Sequence, residues 1–185
     1  MRFTFVDRVL DLEPGAKITT VKALTLAEEY LADHFPRFPV MPGVLMLESL
    51  THAGAWLVRV SEDFAHSMVL LKEARNIKYA TFVEPGQVLT VTAEIIKQDA
   101  RETHLKAQGI VSGKGDGKPA VSGRLVLERF NWADTRPELA ATDDYLKSQM
   151  RQHLSLIYSP PAGARVDRNG SSPLTGAATH QSGAA

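Results

Sequence analysis

A chain of 185 residues with 44% hydrophobic content is long enough to bury one substantial core. Its 21 Lys and Arg balance 21 Asp and Glu, so no overall field gathers nucleic acid or an anionic membrane, and a charged partner must be met by a local patch. The absence of cysteine excludes disulfides and thiolate metal sites. The first residues, Met1 to Arg8, carry charges where a signal peptide needs an apolar run, and no stretch approaches the ~18 apolar residues of a membrane span. The expectation is a soluble cytoplasmic protein with no nucleic-acid or membrane partner.

In chain order, residues 3–12 and 17–24 read as two strands joined at Glu13-Pro14-Gly15, the second alternating Ile18, Thr20 and Lys22 against Thr19, Val21 and Ala23. A short helical segment from Leu26 to Ala32 leads into a loop stiffened by Pro36, Pro39 and Pro42. Pro42 suits the first turn of a helix, because a proline there gives up no intrahelical bond. That helix is predicted to run to about Val60. Val44, Leu45, Met46, Leu47, Leu50, Ala53, Trp56 and Leu57 surround it, so it is expected to be buried on most sides.

Strands are predicted for Met68–Lys72, Lys78–Phe82, Gln87–Gln98, His104–Ser112 and Ala120–Phe130, with turns at Glu84-Pro85-Gly86 and over 112–117. The Gly113–Lys118 run lacks the ending of a phosphate-binding loop and is read as a hairpin turn. The economical arrangement is a long antiparallel sheet around one central helix, an α+β domain over residues 1–131. Thr135-Arg136-Pro137-Glu138 has the pattern of a capping box, and Leu139, Leu146, Met150 and Leu154 recur at helical spacing. An appended amphipathic helix over 134–158 is therefore expected. Residues 159–185, rich in Gly, Ala, Ser and Pro, are read as a disordered tail.

His34 and Glu48 stand at opposite ends of the proline-stiffened turn and the start of the helix. An imidazole, with an ordinary pKa of about 6.5, accepts a proton at neutral pH. Judged alone, His34 reads more readily as a structural histidine. Glu48 lies among Leu45, Met46, Leu47 and Leu50, where burial would raise its pKa and keep it protonated as a general acid. A carboxylate bonded to a loop amide is the bland alternative. Gly43 falls in the first turn, where amides lack intrahelical acceptors and a missing side chain lets a carbonyl approach, unless the glycine serves packing alone. His52 is four residues after Glu48, on the same helix face. Together with His34 these match a two-histidine, one-carboxylate metal set. No recognised metal motif accompanies them, so His52 is read as a hydrogen-bond partner of Glu48 and no metal is expected. Arg37, Lys72, Arg75 and Lys78 could flank the mouth and meet an acidic or phosphorylated partner.

The pattern His34-Phe-Pro-x-x-Pro-x-x-Pro-Gly43-Val-x-x-x-Glu48 resembles the active-site signature of the 3-hydroxyacyl-[acyl-carrier-protein] dehydratases of the FabZ and FabA type, which have the hot-dog fold. Phe5-Val6-Asp7-Arg8-Val9 resembles the family's first strand, and Lys78-Tyr79 through Val83-Glu84-Pro85-Gly86 its segment ending in Val-x-Pro-Gly. The resemblance implies that His34 takes the C2 proton of a 3-hydroxyacyl thioester, Glu48 protonates the departing 3-hydroxyl, and the Gly43 amide holds the thioester oxygen. Glutamate at position 48 is similar to the FabZ branch, since the isomerising FabA branch has aspartate there.

The resemblance also implies that His52, Phe35 and Val44 contact substrate and that Arg37, Arg75 and Lys78 dock acyl carrier protein. The substrate would ride on the carrier's 4'-phosphopantetheine, with no other cofactor. It further implies a homodimer or trimer of dimers, with histidine and carboxylate of one site drawn from different subunits. His52 stands where the family usually has glutamine. Two other readings remain open: a hot-dog thioesterase acting on acyl-CoA or acyl carrier protein, and a non-catalytic acyl-binding subunit.

Overall fold

Period-two alternation decides which face of each strand is covered. In the strand Lys17–Ala23, Ile18, Thr20 and Lys22 are buried while their neighbours are less so. Lys22 tolerates this because its ammonium meets Glu28 at 2.7 Å and Asp7 at 3.4 Å. The computed structural model describes residues 4–35, 37–113 and 117–160. Its six strands are β1 (Arg8–Glu13), β2 (Lys17–Ala23), β3 (Met68–Tyr79), β4 (Val88–Gln98), β5 (Glu102–Val111) and β6 (Val121–Phe130). They form one antiparallel sheet in the order β1-β2-β4-β5-β6-β3. Both β1 and β3 are therefore edges.

Helix α1 (Tyr30–Asp33) is a single turn before the proline loop, and α2 (Gly43–Ser61) is the central helix. Strands β2 through β6 all touch α2. Leu50, Ala53, Leu57 and Val58 on the helix and Leu89, Leu105, Leu125 and Leu127 on the sheet are fully enclosed between them. The approach is close at Gly54, where a Cβ would lie 2.8 Å from Leu105 Cδ1 and 3.3 Å from Leu127 Cδ1. Helix α3 (Ala140–Ile157) follows two 3-10 turns, Trp132–Asp134 and Pro137–Leu139. It seats Ile157 in the core and lays Met150, Leu154 and Tyr158 against it.

Asp143 fastens this helix to the strand domain. Its carboxylate, 2% exposed, accepts hydrogen bonds from the Ser67 hydroxyl and from the amides of Trp132 (3.0 Å) and Ala133 (2.9 Å). At the other side of α3, Arg151 donates to the Asp63 carboxylate and carbonyl at 2.6 Å each. No described helix is long and apolar enough to cross a membrane.

Several expectations are corrected. The strand anticipated from residue 3 begins at Arg8, because Phe5 and Val6, each 2% exposed, leave the sheet to cover the core. Residues 26–32 supply only the one-turn α1, since Thr25 first makes a local turn, its hydroxyl accepting from Ala27 and its carbonyl from Glu28. The strands foreseen at Met68–Lys72 and Lys78–Phe82 are one strand, β3, ending at Tyr79. Its polar middle reads as a loop but is an edge whose pairing with β6 shifts between Leu71 and Glu73 and between Arg75 and Lys78. Asn76, with φ of 54°, marks the second irregularity, and Gly123 opposite leaves the space that Ile77 fills.

The capping box lies at Asn131 and Asp134, not at Thr135, and α3 itself starts without a side-chain cap. Nor is α2 enclosed all round: Val44 is 69% exposed, and Leu45 and Leu47 are only partly covered. The tail over 161–185 and the tip of the 112–117 turn lie outside the described residues.

Candidate active site

Pro39, Pro42 and Gly43 position the first half of the site. His34 ends α1, its amide donating to Tyr30 O at 3.1 Å. Phe35 next to it has φ of 50°, a conformation non-glycine residues seldom adopt, and its ring centroid lies 4.3 Å from that of His34. The loop is then tied down where the Met41 amide donates to Val83 O at 2.9 Å. Pro42 caps α2 without a side-chain acceptor, and the Gly43 amide, first in the helix, carries no hydrogen bond among the described residues. A free amide at a helix N-terminus is a donor aimed at incoming negative charge. Gly43 also packs on Tyr79, whose Cε1 would be 3.3 Å from an added Cβ.

His34, Gly43, Phe35, Met46, Tyr79 and Phe82 border one cavity of about 430 Å³. Its rim is apolar and open: Phe35, Phe38, Tyr79 and Phe82 are each at least half exposed, and Phe38 and Phe82 meet edge to face at 5.5 Å.

The second half of the site lies one turn further along α2. Glu48 Oε1 and His52 Nε2 are 3.0 Å apart, with side chains 41% and 35% exposed. Phe5 meets the His52 ring edge to face at 5.5 Å. Glu48 and His52 open into a different cavity, of about 370 Å³, whose walls include Trp56, Val69 and Leu71 and, from α3, Met150 and His153. The expected upward shift of the Glu48 pKa is corrected: the His52 hydrogen bond lowers it, outweighing a desolvation that would raise it. The helix face around Glu48 is more open in one chain than its apolar neighbours in sequence imply.

The two-histidine, one-carboxylate set is not assembled within the chain, because His34 borders one cavity and the Glu48–His52 pair the other. Among the described residues, the one cluster with ligand atoms close enough together is Asp99, Glu102 and His104 on the β4–β5 hairpin. Of the basic residues, Arg37 and Lys78 are exposed, whereas Arg75 is held by Glu73 through two 2.5 Å hydrogen bonds and Lys72 by Glu102 at 2.5 Å. Val44 stands exposed on the first turn of α2.

Sequence reasoning did not single out Tyr79, Trp56, Arg59, Met150 or His153 as site residues. Only Arg59 left a signal: it is the one charged residue between Glu48 and Glu62, in an otherwise apolar or neutral run.

One antiparallel sheet laid against one central helix is the hot-dog fold. Solved structures with the same architecture include the dehydratase heterocomplex ApeI:P from Xenorhabdus doucetiae, at 15% identity with a TM-score of 0.58 over 74% of this chain and 90% of that one. The E. coli PaaI protein is another, at 14% identity with a TM-score of 0.50 over 66% of this chain and 82% of that one.

Sequence similarity goes further than the fold. Residues 1–124 match the model of the FabA-like domain, and the chain belongs to that family. It is 37% identical over 123 residues to the 3-hydroxyacyl-[acyl-carrier-protein] dehydratase FabZ of Ruminiclostridium cellulolyticum, covering 66% of this chain and 84% of that one. To the FabZ of Levilactobacillus brevis it is 40% identical over 110 residues, covering 60% of this chain and 74% of that one.

Proposed function

We propose that the protein is a hydro-lyase that converts 3-hydroxyacyl chains on acyl carrier protein to trans-2-enoyl chains, in fatty-acid or related acyl-chain synthesis in the cytoplasm. The observation that carries this reading is the pairing of His34 with the free Gly43 amide in one cavity, inside a sequence similar to FabZ dehydratases. His34 takes the proton from C2, and the Gly43 amide steadies the charge that builds on the thioester oxygen. The electron pair then forms the C2–C3 double bond as the C3–O bond breaks, and the hydroxyl leaves as water with the proton held in the Glu48–His52 hydrogen bond, which Glu48 delivers. Phe35 and Val44 border the path of the acyl thioester, and His52 orients Glu48. The chemistry uses no group beyond these side chains and the carrier's 4'-phosphopantetheine.

The division of His34 and Glu48 between two cavities of one chain supports a homodimer in which each site takes its base from one protomer and its acid from the other. The unpaired edge of β3 and the exposed apolar rim of Phe35, Phe38, Tyr79 and Phe82 support the same reading, since long edges and such patches are normally covered. Arg37 and Lys78 are the exposed cations we assign to carrier-protein docking, and Arg75 joins them if it releases Glu73.

The test is hydration of trans-2-enoyl thioesters on carrier protein and on CoA, with release of free thiol followed in parallel. Wild type should be active, and His34→Ala and Glu48→Gln should each lose about 10²–10⁴-fold. Mixing the two inactive variants should restore about a quarter of wild-type activity, because a hybrid dimer regains one complete site. Thiol release without hydration would move the assignment to a thioesterase, and no turnover by a folded protein to an acyl-binding subunit.

A further inference from the structure

The cavity that begins at Glu48 and His52 does not end in hydrocarbon. Ala55, Trp56, Val69, Leu71 and Met150 make its middle apolar, but Arg59 and His153 stand at its far end. From Glu48 to Arg59 along α2 is about 16 Å at about 1.5 Å per residue, so the space is bounded by polar groups at both ends.

Arg59 is an unusual end to an acyl cavity because nothing in the described structure answers its charge. Its Nε is closed off from solvent and has no hydrogen-bond partner. Desolvation holds its pKa down at about 10. The nearby carboxylates are already engaged: Glu62 lies 2.9 Å from Arg129 Nε and from His66 Nδ1, and Asp63 receives Arg151 at 2.6 Å.

A bland role exists, since a cation in the last turn of a helix complements the helix dipole. That role wants the guanidinium at the terminal carbonyls. Instead it is turned back over the indole of Trp56, 5.8 Å from the ring centroid, toward the cavity, where the His153 ring meets the same indole edge to face at 5.4 Å. Cation–π contact orients a guanidinium but supplies no anion and no acceptor for its N–H groups.

We propose that this cavity takes acyl chains whose far end carries a carboxylate, with Arg59 as the group that binds it and the α3 residues Met150 and His153 closing the space around it. The proposal rests on the dehydratase reading for the location of the thioester at Glu48, and adds to it a specificity determinant at the opposite end. A bidentate pair with Arg59 matches carboxylate geometry and gives its guanidinium the acceptor it lacks. A methyl terminus in the same place leaves the cation as it stands in the free protein.

The experiment compares dodecanoyl-pantetheine with 11-carboxyundecanoyl-pantetheine, whose lengths are of the order of the cavity, by titration calorimetry on the full chain. Wild type should bind the carboxylated chain at least tenfold more tightly. Arg59→Met should abolish or reverse that preference, and Arg59→Lys, which keeps the charge but not the fork, should retain part of it. Melting curves check that each variant is folded, and removal of a partly buried cation with no ion-pair partner should leave the transition no lower. Equal or weaker binding of the carboxylated chain by wild type overturns the proposal, as does a preference that survives in Arg59→Met. Hydration of trans-2-dodecenoyl-carrier protein is measured beside it: no turnover there defeats the lyase reading, while the binding ratio still decides the role of Arg59.

Discussion

Replacing Asp143 by asparagine tests how the appended helix is held. The carboxylate is 2% exposed and accepts three hydrogen bonds, from Ser67 Oγ and from the amides of Trp132 and Ala133. Hydrogen bonds to a charged group are worth about 1.5–3 kcal/mol each. Asparagine keeps one acceptor oxygen and turns an NH2 donor toward at least one donor, so an amide or hydroxyl is left buried without a partner. The expected loss is about 2–4 kcal/mol, which for a chain of this size lowers Tm by roughly 5–15 °C.

The assay is thermal unfolding followed by circular dichroism at several pH values. Burial alone would raise the Asp143 carboxyl, but the bonds from Ser67, Ala133 and Trp132 outweigh it and hold the carboxyl below its ordinary value of 3.8. A depressed folded pKa contributes stability that is present above the unfolded value and is lost as pH falls through the folded one. The gap between wild type and Asp143→Asn should therefore be constant at neutral pH and narrow below about pH 4. A variant melting within 2 °C of wild type at pH 7, or a gap that widens in acid, would refute the reasoning.

Three further outcomes are expected. Arg129, 4% exposed, holds its Nε 2.9 Å from Glu62 Oε1 but off the line of the N–H, so the contact is ionic, while its other nitrogens donate to Thr103 and to the Asp99 carbonyl. Arg129→Met should cost about 3–5 kcal/mol in urea unfolding, and adding Glu62→Met should recover part of it rather than deepen the loss. Gly54→Val should cost at least about 1–3 kcal/mol by overpacking, because its Cβ would stand 2.8 Å from Leu105 Cδ1. Leu105→Ala combined with it should cost less than the sum of the two, as residues in contact do not add. His52→Leu should raise the Glu48 pKa, since the hydrogen bond that lowers it is gone and desolvation remains. Carbon-detected NMR titration of the Glu48 carboxyl checks this, and an unchanged midpoint would show that His52 does not control it.

Much of the site was legible because its geometry is local. Pro39, Pro42 and Gly43 impose a loop and a bare helix start, and the spacing to Glu48 and His52 follows from helical periodicity. The alternation in β2 was equally plain. What failed to show was set by contacts distant in sequence. The middle of β3, Lys72 to Asn76, is polar because it is an edge, and its register shifts are accommodated by Gly123 about fifty residues later. Asn131 and Asp134 took the cap because Asn131 also accepts the Ser67 amide at 3.0 Å, a tie across the fold that Thr135 does not make. The pKa of Glu48 was misjudged because apolar neighbours along a helix do not imply burial when that face lacks a cover within the chain. Arg59 was visible as a lone charge, but its significance depends on His153, brought to it by α3.

The two walls of the Glu48 cavity carry different obligations. Ala55, Trp56 and Val69 belong also to the core between α2 and the sheet, so a change of size there disturbs the whole domain. Met150 and His153 sit on a helix tethered through Asp143 and Arg151, outside the ladder of strand pairs. Drift at those two positions can reshape the chamber while the scaffold and the His34–Glu48 chemistry stay fixed. Descendants of this chain can thus diverge in what they accept far sooner than in what they catalyse.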